Sequence, residues 1–222
     1  MPKGSLSALQ REVLEVLAPS DPPWTLTGGG ALVQFHLGHR STRDLDLFLH
    51  GRATLEQQAE RAADRLRGAG MEVTSIQSGR SLQRYRVTRG GDSVLLDLVA
   101  DPVPVIEAPT RQPIGTAEIL VDTPHEILVN KLCALVQRSE LRDLVDVRGL
   151  LGAAGDLERA LRDAPRKDGG FSPLVLSWQL EGLDLSSMGR AEGWTERDVA
   201  ELDAFRANLI ARLSRLSHPG PG

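Results

Sequence analysis

Cysteine is almost absent from this sequence of 222 residues, where Cys133 stands alone. One thiol cannot form an internal disulfide framework or a cysteine-built zinc site, and the scarcity fits a reducing compartment. Aromatic residues are nearly as rare: three tryptophans, four phenylalanines and one tyrosine. That excludes an extended platform of rings on which single-stranded RNA would stack base after base. An overall positive charge is missing too. The formal net charge is −4, so a polyanion must be held by a local basic patch rather than by the field of the whole molecule. No stretch approaches the roughly 20 apolar residues of a membrane span. The opening MPKGSLSALQREVLEVL lacks the apolar core and cleavage pattern of a secretory signal. These absences predict a cytoplasmic protein with no membrane partner. The rest is ordinary for a globular chain, with 41% apolar and 25% charged residues and enough length for a real hydrophobic core.

Periodicity divides the chain into two halves. In the first, about 1–122, Leu9, Val13, Leu14 and Leu17 recur at helical spacing and predict a helix over Ser7 to Leu17. A short strand is expected from Trp24 to Thr27, after which Gly28 to Gly30 open a helix over about Ala31 to Leu37. Leu45, Leu47 and Leu49 alternate with Asp44, Asp46 and Phe48, the period of a strand. Thr54 and Gln57 have the spacing of a capping box for a helix ending near Gly68 or Gly70. Strands are expected over Met71–Gln77, Leu82–Thr88 and Ser93–Ala100, the last two joined by a hairpin at Gly90-Gly91. Asp101 to Pro113 carries four prolines and reads as an extended connector, followed by a strand over Ala117–Val121. The second half, about 123–222, is helical. Thr123, Pro124 and Glu126 start a helix reaching about Arg138. Others are expected over Leu141–Leu151, within Ser172–Leu180, and from Thr195 to about Leu216, with a frayed tail from His218 to Gly222.

Residues two apart on a strand share a face, so Asp44 and Asp46 project together while Leu45 and Leu47 enter the core. Paired carboxylates suit Mg2+ or Mn2+, which take one or two protein carboxylates and complete their shell with water and substrate phosphates. An isolated Asp-x-Asp is usually only a solvated strand end. Here a glycine turn opening a helix precedes it by sixteen residues, and backbone N–H groups at such a turn can cradle phosphate. A third carboxylate, Asp97, sits inside the apolar strand VLLDLV, where an unpartnered charge would cost several kcal/mol. A metal is one partner for it. With Gly90-Gly91 as the turn, Arg84 falls directly opposite Asp97 and is another; the two readings are compatible.

The segment TGGGALVQFHLGHRSTRDLDLF resembles the signature of the polymerase-β nucleotidyltransferase superfamily: a hydrophobic residue, Gly-Gly or Gly-Ser, a spacer, then Asp-x-Asp. More closely it resembles the AbiEii/AbiGii toxins of type IV toxin–antitoxin systems, which read Gly-Gly-Thr-Ala-Leu and then Gly-His-Arg-x-Ser-x-Asp-Leu-Asp. Gly28, Gly29, Ala31 and Leu32 match, with Gly30 in place of threonine. Gly38, His39, Arg40, Asp44, Leu45 and Asp46 match as well, but serine follows the arginine directly, so either Ser41 or Thr42 takes the serine's place. In the helical half, KLCALVQRSELRDLVDVRGL resembles the family's second signature and puts Lys131, Arg138, Arg142, Asp143 and Asp146 at family positions.

The resemblance implies an α+β fold, with a polymerase-β-type core of mixed sheet and flanking helices followed by a C-terminal helical bundle that completes the active-site cleft. It implies a two-metal, NTP-dependent nucleotidyltransferase moving NMP to an acceptor hydroxyl. Asp44, Asp46 and Asp97 would bind Mg2+ or Mn2+. Gly28, Gly29, Arg40, Ser41 and Lys131 would bind the nucleotide, with Lys131 gripping the triphosphate. Asp143 would join them or hold Lys131 or Arg138 in place. On the helical wheel Asp143 borders the apolar arc, whereas Arg142 and Asp146 face away from it. The acceptor would be a tRNA 3′ end or a protein hydroxyl, and the partner a cognate antitoxin of winged-helix type. Two other readings remain open: nucleotidylation of a small molecule such as an aminoglycoside, and a catalytically silent nucleotide- or antitoxin-binding module. The intact carboxylates argue against the second. His36 and His39 have no third ligand beside them and read as structural, Cys133 as a buried thiol, and Arg80, Arg84, Arg86 and Arg89 as a solvated ridge able to meet an RNA backbone.

Overall fold

The computed structural model describes residues 4–138 and 140–217; the tail expected to fray, His218 to Gly222, lies outside them. Contacts divide the chain into two compact units, Met1–Ile127 and Leu128–Gly222.

The first unit is built on a seven-stranded mixed sheet. Its strands are β1 (Thr25–Thr27), β2 (Asp44–His50), β3 (Glu72–Ser78), β4 (Leu82–Arg89), β5 (Asp92–Asp101), β6 (Thr110–Ile114) and β7 (Ala117–Val121), in the order β3-β4-β5-β2-β1-β7-β6. β2 runs parallel to β5 and β1 to β7; the other neighbours are antiparallel. The alternation read from the sequence sorts the side chains between the two faces. Leu45 and Leu47 of β2, Leu96 and Leu98 of β5 and Val87 of β4 are all fully buried on one face. Each such side chain contributes about 1.5–3 kcal/mol by leaving water. Helix α1 (Ala8–Leu17) buries Leu9, Val13, Leu14 and Leu17 and starts with a complete Ser7–Gln10 capping box. It packs on β5, β6 and β7, and against α3 (Gln58–Gly68). The Tyr85 hydroxyl reaches the Ala59 carbonyl of α3, which places α3 on the apolar face as well.

Between β1 and β2 the chain forms α2 (Gly28–Ala31), followed by a π-helical turn over Leu32–His36. The glycines expected to precede a helix are thus its first turn. Two other expectations need correction. The Thr54–Gln57 capping box does not form, and α3 starts at Gln58 without a side-chain cap. Leu55 is instead anchored by burial of its side chain and by an N–H bond to the Arg80 carbonyl, which holds the segment as a loop. The proline-rich connector contains a strand, β6. Its Pro113 is tolerated because β6 is the sheet's edge and leaves one side unpaired. Beyond α4 (Pro124–Gln137) and α5 (Leu141–Gly152) the helical region holds α6 (Leu157–Asp163), α7 (Pro173–Glu181), α8 (Leu185–Ala191) and α9 (Glu196–Ser217). The seven-residue α6 and α8 were too short to show a periodicity; their N-caps, Asp156 and Asp184, were the legible signal.

At the start of α4 the Thr123 hydroxyl accepts the Glu126 N–H, half of the expected capping box. The buried Glu126 carboxylate accepts the N–H groups of Ile106 and Glu107 through Oε2, pinning the connector to the helix start. Within the helical unit Cys133 is buried, and burial pushes its thiol up to about 12. No described helix is long and apolar enough to cross a membrane.

Candidate functional site

The open face of the sheet carries side chains in rows that the strand register fixes. Asp46 lies opposite Asp97 in the parallel β2–β5 pair, and Asp97 lies opposite Arg84 in the antiparallel β4–β5 pair. Thr27 of β1 lies on the other side of Asp46, so one row reads Arg84, Asp97, Asp46, Thr27. On one side of it the next row reads Arg86, Leu95, Asp44. On the other side the row is apolar, with Leu82, Val99 and Phe48. The three aspartates expected to act together therefore share one face.

The glycine turn closes on this face. Gly28 has φ +57°, a left-handed conformation open to glycine at little cost. A β-carbon at Gly28 would stand 2.7 Å from Oδ2 of Asp46. One at Gly29 would stand 2.8 Å from Nη2 of Arg40 and 3.1 Å from Oγ1 of Thr42. The absence of side chains here is what lets the turn, the Arg40 guanidinium and the carboxylate strand meet. The loop between them is held from behind, where buried Gln10 of α1 donates to the Thr42 carbonyl at 3.1 Å. Ser41 is exposed, whereas half-buried Thr42 sits at the glycine turn and donates to the Asp44 carbonyl at 3.3 Å. Of the two hydroxyls the sequence left open, Thr42 is the one against Gly29.

Asp97 has its partner in Arg84. Nε donates to Oδ1 at 2.7 Å and Nη2 to Oδ2 at 2.6 Å, the two-pronged geometry that makes arginine–carboxylate pairs strong. These bonds raise the pKa of Arg84; burial opposes the shift, and the negative charges of Asp97, Asp44 and Asp46 add to it. The expected cross-strand pair is formed. The rest of the arginine ridge splits: Arg86 shares the open face, Arg89 pairs with Glu12 of α1 at 3.2 Å, and Arg80 is exposed in the β3–β4 turn.

Four residues beyond Asp46 on β2, sequence reasoning missed a second cluster. His50 shares the face of Asp46, and Asp101 lies opposite it on β5. The imidazole Nε2 is 3.1 Å from Oδ1 of fully buried Asp122, and Nδ1 makes an ionic contact of 3.3 Å with Asp101 Oδ2. Burial opposes a charge on this ring, but the two carboxylates outweigh it and raise its pKa to about 9. Asp122 is further tied by its N–H to the Leu26 carbonyl and by its own carbonyl to His36 Nε2, at 2.8 Å. The strand parity of Asp44, Asp46, Phe48 and His50 was the signal that could have revealed His50. Nothing in the sequence marked Asp122.

The remaining candidates lie in the helical unit. Lys131 is 8% exposed, with Nζ 2.6 Å from Asp143 Oδ1 and 2.9 Å from Asp146 Oδ2. Burial opposes its charge, yet Asp146 and Asp143 prevail and raise its pKa. Asp143 also accepts from Arg138 Nε at 2.9 Å, so it holds both cations. Asp146 is fully buried, contrary to the helical-wheel reading. Most of α5 is buried, Leu144, Val145 and Val147 included, so Asp146 lies inside, where Lys131 compensates its charge.

As a metal site, the open face offers Asp44 and Asp46, hard oxygens side by side on one strand with a glycine approach beside them. That donor set fits Mg2+ or Mn2+, which need few protein ligands when substrate phosphates supply the rest. Asp97 is next to them in register, with both oxygens engaged by Arg84. Among the described residues, no three His, Cys, Asp or Glu side chains are gathered as a ready-made metal cage.

Solved structures share this architecture at low identity. MenT4, a nucleotidyltransferase toxin from Mycobacterium tuberculosis H37Rv, is 18% identical, covering 92% of this chain and 91% of its own with a TM-score of 0.57. JHP933 from Helicobacter pylori is 20% identical, covering 96% and 97% with a TM-score of 0.52. Curated proteins give no match. The model of the family described as "Nucleotidyl transferase AbiEii toxin, Type IV TA system" matches residues 12–212, a span that holds the glycine turn, the three aspartates and the Lys131 cluster. The chain belongs to the AbiEii nucleotidyl transferase toxin family.

Proposed function

We propose that this protein transfers a nucleoside monophosphate from an NTP to an acceptor hydroxyl, with Asp44 and Asp46 holding a divalent metal. The observation that carries this reading is the meeting of the glycine turn with the carboxylate strand, Gly28 against Asp46 and Gly29 against Arg40 and Thr42. A phosphate chain brought to the turn would find backbone rather than side chains, with the Arg40 guanidinium beside it as a fixed positive charge. In the transfer, the acceptor oxygen forms a bond to the α-phosphorus as the bond to the bridging oxygen breaks. Pyrophosphate leaves with that electron pair, and the hydroxyl proton passes to water. When bound, Mg2+ or Mn2+ would lower the pKa of the attacking hydroxyl and offset the charge of the leaving phosphates. The chain's own part is positional: the rigid β2–β5 register sets the spacing of the carboxylates, and the apolar face beneath keeps that register from slipping.

The acceptor is a tRNA 3′ end or a protein hydroxyl, the setting is cytoplasmic, and the activity is restrained by a cognate antitoxin of winged-helix type. Incubating the protein and its Asp46→Asn variant with each labelled NTP, Mg2+, total tRNA and cell lysate tests the reading. Label should enter one class of macromolecule with wild type and none with the variant. Equal labelling by the two, or none by either with any NTP, counts against it.

A further inference from the structure

The row Arg84, Asp97, Asp46 differs from its neighbour in a way that packing does not require. One step along the same face, the equivalent positions are Leu82, Val99 and Phe48, so this part of the sheet accommodates apolar side chains. An ion pair serving stability alone has no advantage over such residues, since desolvating two charges offsets most of their attraction. The pair is also unequally used. Both oxygens of Asp97 are bound, and its side chain is 10% exposed. Arg84 spends Nε and Nη2 on Asp97, while Nη1 has no hydrogen-bond partner among the described residues and the side chain is 37% exposed. Its guanidinium also lies within the field of Asp44 and Asp46.

We infer that Asp97 serves the site through Arg84, fixing the guanidinium beside Asp44 and Asp46 so that its remaining N–H groups bind a phosphate oxygen of the nucleotide. Arg84 is then a substrate-binding residue and Asp97 a positioning residue, rather than the third ligand of a metal. Arginine suits this role because it stays charged, and a carboxylate gripping two of its nitrogens orients the plane of the fork toward a second anion. The inference rests on the nucleotidyltransferase reading given above.

The test is equilibrium binding to the full-length protein. A non-hydrolysable NTP analogue is titrated in Mg2+, and Mn2+ alone is titrated by electron paramagnetic resonance. Arg84→Ala and Asp97→Asn should each weaken analogue binding by at least about tenfold, as expected for losing or misaligning a charge-assisted contact. The double variant should be no worse than Arg84→Ala, because the two side chains act as one unit. Arg84→Lys should not restore binding, since an ammonium cannot be gripped by both carboxylate oxygens and still present a fork. Mn2+ affinity without nucleotide should follow Asp44 and Asp46 and not Asp97. Arg84→Leu with Asp97→Leu copies the neighbouring row, guards against misfolding from a lone buried charge, and should bind the analogue as poorly as Arg84→Ala. If that apolar double variant binds like wild type, or if Asp97→Asn weakens Mn2+ binding while Arg84→Ala leaves analogue binding intact, the inference is overturned. Asp46→Asn separates the two levels. Metal-dependent analogue binding that it abolishes keeps the nucleotidyltransferase reading whatever the Arg84 variants do, whereas no binding by wild type defeats both.

Discussion

The carboxylate of Asp46 occupies the space that a side chain on Gly28 would need, with Oδ2 2.7 Å from the site of the missing β-carbon. Gly28→Ala therefore faces two penalties, a left-handed backbone at φ +57° and a contact that only movement of Asp46 relieves. The backbone penalty alone is about 1–2 kcal/mol. Urea unfolding should show a loss of that order, and nucleotide transfer should fall further than stability does, because Asp46 is displaced. An alanine variant with full transfer activity would mean that Asp46 need not stay against the turn.

Lys131 neutralises two carboxylates that are both fully buried. Lys131→Met should cost about 3–5 kcal/mol in urea unfolding without nucleotide, since it leaves Asp143 and Asp146 without that compensating charge. A lysine used only to meet triphosphate would cost nothing in that measurement.

His50 gives the protein an alkaline weakness. Its pKa rises from 6.5 to about 9 on folding, because Asp101 and Asp122 outweigh the effect of burial. A raised pKa means the folded state holds the proton more tightly, so the stabilisation is complete below the unfolded value. It is lost as pH climbs from about 6.5 through about 9. The amount at stake is about 3 kcal/mol. Unfolding free energies measured across that window should fall in wild type and stay flatter in His50→Gln. Parallel profiles would show that the imidazole is not charged between its two carboxylates.

The legible parts of this protein were those written in short-range pattern. Alternation around Asp44 and Asp46 gave the strand and its two faces, and the Gly90-Gly91 turn gave the register that sets Arg84 against Asp97. The glycine turn was visible as a motif, but not that Gly28 abuts Asp46, which depends on how tightly the chain reverses into α2. Thr42, rather than Ser41, lies at the turn because the loop is drawn back by Gln10, a contact 32 residues distant in sequence. Asp122 escaped for the same reason: its partners His50 and His36 are 72 and 86 residues away. The strand β6 was hidden by Pro113, whose presence is permitted only by an edge position that the sequence does not announce. Asp146 faced away from the apolar arc on an ideal wheel and is inside because α5 is buried around most of its circumference, with Lys131 compensating the charge.

Whether the carboxylates beside the glycine turn support nucleotide transfer is decided by comparing wild type with Asp46→Asn. Wild type and Asp46→Asn are incubated with labelled NTPs, Mg2+, tRNA and lysate, with urea unfolding run in parallel. The variant should stay folded and label nothing, while wild type labels a defined acceptor. A folded Asp46→Asn protein that labels the same acceptor at the wild-type rate would contradict it.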